Sequence, residues 1–224
     1  MEFEILAPGP YPVPQLLDEN YILKLLPAAT YDSFDRTGLR LFCHNYARYG
    51  LPTVELIDWL KNIIGSRSCI EIGSGSGDLA YHLGIKATDN RMQEWGNIKV
   101  MYNLSNQPRI RYPYWVEELD AIDAVQRYKP EVVLASWVTE WIDPDRPVPP
   151  HGGNMFGVKE HLIISAGDVG LSDKNPTYIL IGNDSTHGKK RIMSQEHKTY
   201  NLPFLRSRAK YPELDRVYIW EPVT

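Results

Sequence analysis

The chain has 224 residues, 43% of them hydrophobic and 23% charged, enough for one sizeable core and short for two full domains. A formal charge of -4 argues against a protein held to nucleic acid by phosphate neutralisation, although basic clusters at Lys189–Arg191 and Arg206–Lys210 keep that partner open. Cys43 and Cys69 fit neither a zinc spacing nor a disulfide framework, the start carries no basic-then-apolar leader, and no apolar run could cross a bilayer. A cytoplasmic compartment without a membrane partner is the expectation. Nothing in the sequence speaks to oligomeric state.

In chain order, residues 7–14 alternate proline with small and aromatic residues and read as an extended arm. A helix is predicted from Thr37 to Tyr49. A second opens at Pro52 and Thr53, carries Val54, Leu56, Ile57, Leu60, Ile63 and Ile64 at helical spacing, and stops at Gly65. Residues 1–65 are therefore expected to form an arm and helices packed on the core, a candidate lid, ahead of an α/β domain over 66–224. Within that domain Ser68–Ile72 predicts a buried strand, Asp78–Leu83 a short helix and Ile85–Thr88 a strand. Tyr114–Glu118 predicts another strand and Asp120–Tyr128 a helix that Pro130 ends. Glu131–Trp137, Thr177–Ile181 and Arg216–Trp220 complete the strands. This alternation predicts a Rossmann-like, doubly wound sheet, mostly parallel, with helices on both faces. Residues 97–113 carry strand-like pieces among many polar groups without a clear place in the fold, and 143–156 read as a long loop.

Gly73, Gly75 and Gly77 follow the first strand directly. Glycine tolerates the left-handed backbone of an abrupt strand-to-helix turn and lets a ligand touch the main chain. The next helix aims unpaired N–H groups at the same place. The turn therefore reads as a ligand cradle at the carboxyl edge of the sheet. A dinucleotide loop requires Gly-x-Gly-x-x-Gly, whereas the sixth position here is Asp78, a carboxylate where a pyrophosphate would lie.

"EIGSGSG" resembles the first motif of the class I S-adenosylmethionine-dependent methyltransferases, an acidic residue followed by x-Gly-x-Gly-x-Gly, and the resemblance covers about residues 66–140. It implies S-adenosylmethionine as cofactor. Glu71 would match the acid at the strand end, and Gly73, Gly75 and Gly77 the loop beside the cofactor's amino-acid part. Asp89 would match the acid that accepts from the ribose hydroxyls. Asp120 and Ala121 would flank the adenine, with Glu117 and Glu118 as alternative acids. Ser136 and Trp137 would match the segment nearest the methyl group. Carboxylates suit a sulfonium with a free ammonium and two ribose hydroxyls better than they suit phosphates.

Methyl transfer mainly needs positioning, with a base only where the acceptor must lose a proton. Glu140 and His151 are the candidate bases. Trp137 and Trp141 are candidate stacking residues, or core aromatics at helical spacing. Asn183, Asp184, Ser185 and His187 either line the pocket or cap a turn. No histidine spacing predicts a metal site. The expected activity is methyl transfer to an unidentified acceptor, most simply a small molecule. The alternative is a catalytically silent cofactor-binding or scaffold protein of the same fold.

Overall fold

The computed structural model describes residues 14–143, 145 and 153–222. Two helices open it, α1 (Ala28–Asp32) and α2 (Arg36–Asn45); the Asp35 side chain caps α2 by accepting from the Gly38 amide. A two-residue strand, β1 (Gly50–Leu51), leads into α3 (Val54–Ile64). Thr53 caps α3 by accepting from the Leu56 amide, and Gly65, at φ 61°, ends it. The alternating part follows as β2 (Cys69–Ile72), α4 (Asp78–Leu83), β3 (Lys86–Asp89), α5 (Gly96–Leu104), β4 (Val116–Glu118) and α6 (Ala121–Tyr128). Then come β5 (Val132–Ser136), α7 (Glu160–Ile164), β6 (Thr177–Asn183), α8 (Asp184–His187), β7 (Lys198–Tyr200), β8 (Arg206–Ser207) and β9 (Asp215–Trp220).

The seven-stranded sheet has the order β4-β3-β2-β5-β6-β9-β7. Its first five strands run parallel; β9 lies antiparallel to β6, and β7 antiparallel to β9. From β2 the chain winds outward through β3 and β4, then returns to β2's other side as β5. The crevice between β2 and β5 is thus the point where winding reverses, and ligands of open α/β sheets bind there, outside the carboxyl ends. The fold is Rossmann-like α/β.

Alternation along β5 shows how the sheet acquires two covered faces. Val132 and Leu134 join the cluster holding Leu56, Ile57 and Leu60 of α3, while Val133 and Ala135 join Ala121, Ala124 and Val125 of α6. A separate small core, built on Leu16, Leu23, Tyr31, Phe42 and Cys43, belongs to the N-terminal extension. The extension is tied to the sheet domain at α4: the Leu23 amide donates to Asp78 Oδ1 at 2.8 Å, and Nε2 of His82 donates to the Leu23 carbonyl at 2.7 Å. The β1–β8 ribbon, antiparallel, ties it again near the carboxyl edge of the sheet.

Two expectations are corrected. Residues 97–113 contain α5, which has no buried residue and exposes Val100, Met101 and Leu104. A helix without a core-facing stripe leaves no period in the sequence. Trp137 and Trp141 do not share a helix face, because residues 140 and 141 pair as parallel bridges with Val158 and Asn154. His151 and the proline-rich residues 7–13 lie outside the described residues. Among the described residues, no helix is long and apolar enough to cross a membrane.

Candidate functional site

β2 ends in a turn whose three glycines all take left-handed backbone, at φ 53°, 57° and 71° for Gly73, Gly75 and Gly77. A side chain there would be strained and would also lack room: a Cβ at Gly77 would lie 2.8 Å from Val116 Cγ2, and one at Gly73 would lie 2.8 Å from Val138 Cγ1. The turn is held from β3, where the Ser74 amide donates to the Thr88 carbonyl and the Gly75 amide to Asp89 Oδ2 at 2.9 Å. Asp89 Oδ1 accepts from the Arg91 amide.

Two buried carboxylates flank this turn. Glu71 is 2% exposed, and its Oε2 accepts from the Ala80 amide in the first turn of α4 at 2.9 Å. Burial pushes its pKa up to about 8 against that hydrogen bond, and the charges of Asp78 and Asp89 push the same way. Burial also raises Asp89, opposed by the amides of Gly75 and Arg91, the Tyr112 hydroxyl and the Arg91 charge. Carboxyl groups with proton affinities shifted this way by burial concentrate at functional sites.

Asp78 does something else. Its Oδ2 pairs with Arg48 Nε at 2.8 Å and accepts from the Ser76 hydroxyl, and its Oδ1 accepts from the Leu23 amide, so this carboxylate ties the extension to the glycine turn. Arg48, from the extension, offsets part of the negative charge that argues against a pyrophosphate at this position.

The crevice also has a plug. Ile110 stands over Gly75, its Cδ1 3.3 Å from where a Cβ would lie, and the Ile110 amide donates to the buried Gln93 side chain. In the turn itself and against Gly77, respectively, Ser74 Oγ and Trp115 Nε1 are buried without hydrogen-bond partners. Two orphaned polar atoms around a glycine turn are costly unless something meets them.

On the other side of the switch point, β5 ends at Ser136 and Trp137. Trp137 is itself left-handed at φ 57°, unusual for a bulky residue and a feature that concentrates at functional sites. Its amide donates to the Ile181 carbonyl. Its ring stacks on Tyr49 at 6.2 Å and meets His187 edge-on at 5.2 Å, while the Arg208 guanidinium sits 3.6 Å from the Tyr49 centroid. His187 is buried; burial, then the Lys190 charge, push its pKa down to about 3, so it is neutral, with Nδ1 accepting from the Asn183 amide.

No family model and no curated protein matches this sequence. Solved structures resemble the fold. One is SMU.776, described as a candidate methyltransferase complexed with SAH, at 10% identity and TM-score 0.34 over 71% of this chain and 47% of that one. Another is a candidate SAM-dependent methyltransferase from Streptococcus mutans, at 13% identity and TM-score 0.35 over 74% and 47%. A third is the candidate methyltransferase yhhF from Escherichia coli, at 15% identity and TM-score 0.36 over 93% and 98%. The chain spans about half the length of the first two.

The structure brings Glu71, Gly73, Gly75, Gly77 and Asp89 together. Ser136 and Trp137 stand at the end of β5, beside β2 in the sheet. Asp120 caps α6, its Oδ1 accepting from the Ile122 amide, with Ala121 buried behind it; Glu117 binds Arg127 and Tyr128, and Glu118 ends β4. Glu140 Oε1 accepts from the Arg191 amide, and its backbone pairs with Val158. Asn183 caps α8 through Ser185 and also donates to Asp215. Sequence reasoning missed Tyr49, Ile110 and Asp215, which reach the site from distant segments without a local signal. Among the described residues, no group of three or more His, Cys, Asp or Glu side chains could hold a metal ion.

Proposed function

We propose that this chain is an S-adenosylmethionine-dependent methyltransferase acting on a small molecule, with the cofactor in the crevice between β2 and β5. One observation carries the reading: a left-handed glycine turn at the switch point lies between two buried carboxylates, Glu71 and Asp89, with the unpartnered Ser74 hydroxyl in its wall. That donor set matches a cationic nucleoside amino acid, whose sulfonium brings its own activated methyl group when bound. Glu71 would bias the turn toward positive charge, Asp89 would accept from the ribose hydroxyls, and Asp120 with Ala121 would border the base. Ser136 and Trp137 would face the reacting end, where the protein's work is orientation and exclusion of water. Glu140, whose Oε1 accepts from the Arg191 amide, remains a candidate base. His151 remains a candidate base by its place in the sequence.

A second reading, a silent protein of the same fold, is favoured by Ile110 over Gly75. Calorimetric titration of the full chain with S-adenosylmethionine, S-adenosylhomocysteine and NAD tests the first. Binding of the two adenosyl ligands and not NAD is expected; binding of neither overturns it. Release of S-adenosylhomocysteine during incubation with a metabolite pool separates an enzyme from a silent binder.

A further inference from the structure

We infer that Arg208, on the lip of the crevice beyond the end of β5, binds a carboxylate or phosphate group of the methyl acceptor. Arg208 belongs to the basic run Arg206–Lys210 and directly follows β8. Its amide donates to the Tyr49 carbonyl at 3.0 Å, and its guanidinium lies over the Tyr49 ring, 3.6 Å from the centroid. Tyr49 is 38% exposed and stacks on Trp137, so a single ring separates this cation from the residue that follows β5. The gap behind Trp137 has room for about one water, so a ligand at Arg208 lies on the open, outer side of the two rings.

Stacking on a ring leaves the N–H donors at the edge of a guanidinium free, and their fork matches two oxygens of a carboxylate or phosphate. The neighbouring arginines have committed theirs. Arg206 donates to Asp32 and to the Pro203 and Leu205 carbonyls, and Arg216 pairs with Asp184 and donates to the Glu213 and Asp215 carbonyls. Among the described residues, no carboxylate pairs with the Arg208 side chain and no carbonyl accepts from it. Its surroundings place it across the crevice from Asp89. Burial raises the Tyr102 phenol of α5, with Tyr49 pushing the same way and the Arg208 charge opposing. Burial also raises Tyr112, whose hydroxyl bonds to Asp89, and the Asp89, Glu94 and Tyr102 charges add to that. The two phenols thus form a path from Asp89 to Arg208, between an acidic lip and a basic one. A cationic cofactor against Glu71 and Asp89 and an anionic acceptor against Arg208 complement those lips, whereas an ammonium acceptor is repelled by the second.

That the bound anion belongs to the methyl acceptor rests on the cofactor reading; anion binding at Arg208 does not. The experiment titrates the full chain with benzoate, phenyl phosphate and benzamide, which share a ring and differ in charge, followed by ligand-observed NMR. S-adenosylhomocysteine is titrated in parallel by calorimetry. Binding of at least one anion about tenfold tighter than benzamide is expected, and the tighter of the two tells carboxylate from phosphate. In R208Q the gap closes while S-adenosylhomocysteine binds as in the parent. Equal binding of the three probes by the parent chain, binding of none at millimolar concentration, or a gap that survives in R208Q overturns the anion site. Should R208Q not fold, R208K decides: loss of the fork narrows the gap by about threefold or more, and a gap at the parent's value overturns the site. Failure of S-adenosylhomocysteine to bind while the gap persists defeats the cofactor reading and leaves the anion site standing.

Discussion

The two sides of the switch point are built in opposite ways. The β2–β3 side is one continuous stretch, Glu71 to Asp89, in which every oxygen of the Asp89 carboxylate already has a backbone partner and Ile110 covers the turn. The β5–β6 side is assembled from segments scattered between Tyr49 and Asp215 and keeps a crevice with an unpaired carboxylate oxygen. A motif made of neighbours can be satisfied by its own chain; a wall made of strangers leaves a gap. The first side therefore has to open to admit a ligand.

The sharpest way to break this contrast is Gly77→Ala. Left-handed strain and the 2.8 Å approach to Val116 together cost about 2–4 kcal/mol, measured by urea denaturation. A loss below half of that would mean the turn relaxes easily, and the rigid-cradle description fails.

Next comes protonation of Glu71. With a pKa near 8, much of it is neutral at neutral pH, and facing a cation requires losing that proton. Affinity for S-adenosylmethionine should rise by up to about tenfold per pH unit below pH 8 and level off above it. Glu71→Gln should flatten the profile, which calorimetry at several pH values checks.

Ile110→Ala removes the plug. The expected gain in S-adenosylhomocysteine affinity is about 3–10-fold, because less of the binding energy is spent on opening. Unchanged affinity would show that Ile110 already stands clear of the ligand.

The last comparison is of stability against pH, where the two sides oppose each other. Glu71 has a raised pKa, so its contribution is whole below about 4.5 and is lost as pH rises through about 8. His187 has a depressed one, so its contribution is whole above about 6.5 and is lost as pH falls toward about 3. Thermal melts across pH 3–9 should show the alkaline decline reduced in Glu71→Gln and the acid decline reduced in His187→Phe. The same slopes in both variants would contradict these assignments.

Much of the fold could be read from local pattern. Thr53 and Gly65 bracket α3, the run Val132–Ala135 is buried on both faces, and the glycine turn sits where three left-handed residues are needed. What escaped depends on pairing over distance. α5 packs no residue into a core, so nothing in its sequence marks it. The backbone at Glu140 and Trp141 is captured by residues 154–158, which overrides the four-residue spacing of the two tryptophans. The ion pair of Asp78 with Arg48 joins residues distant in sequence and leaves no local signal. Asp215 joins Trp137 only through the sheet order that sets β9 beside β6.

The most direct measurement is a crystal structure of the full chain grown with S-adenosylhomocysteine. The account predicts the nucleoside lying along Gly73–Gly77, Ile110 moved off Gly75, and the ribose hydroxyls donating to Asp89. Ile110 still seated on Gly75, with no ligand density at saturating concentration, would contradict it.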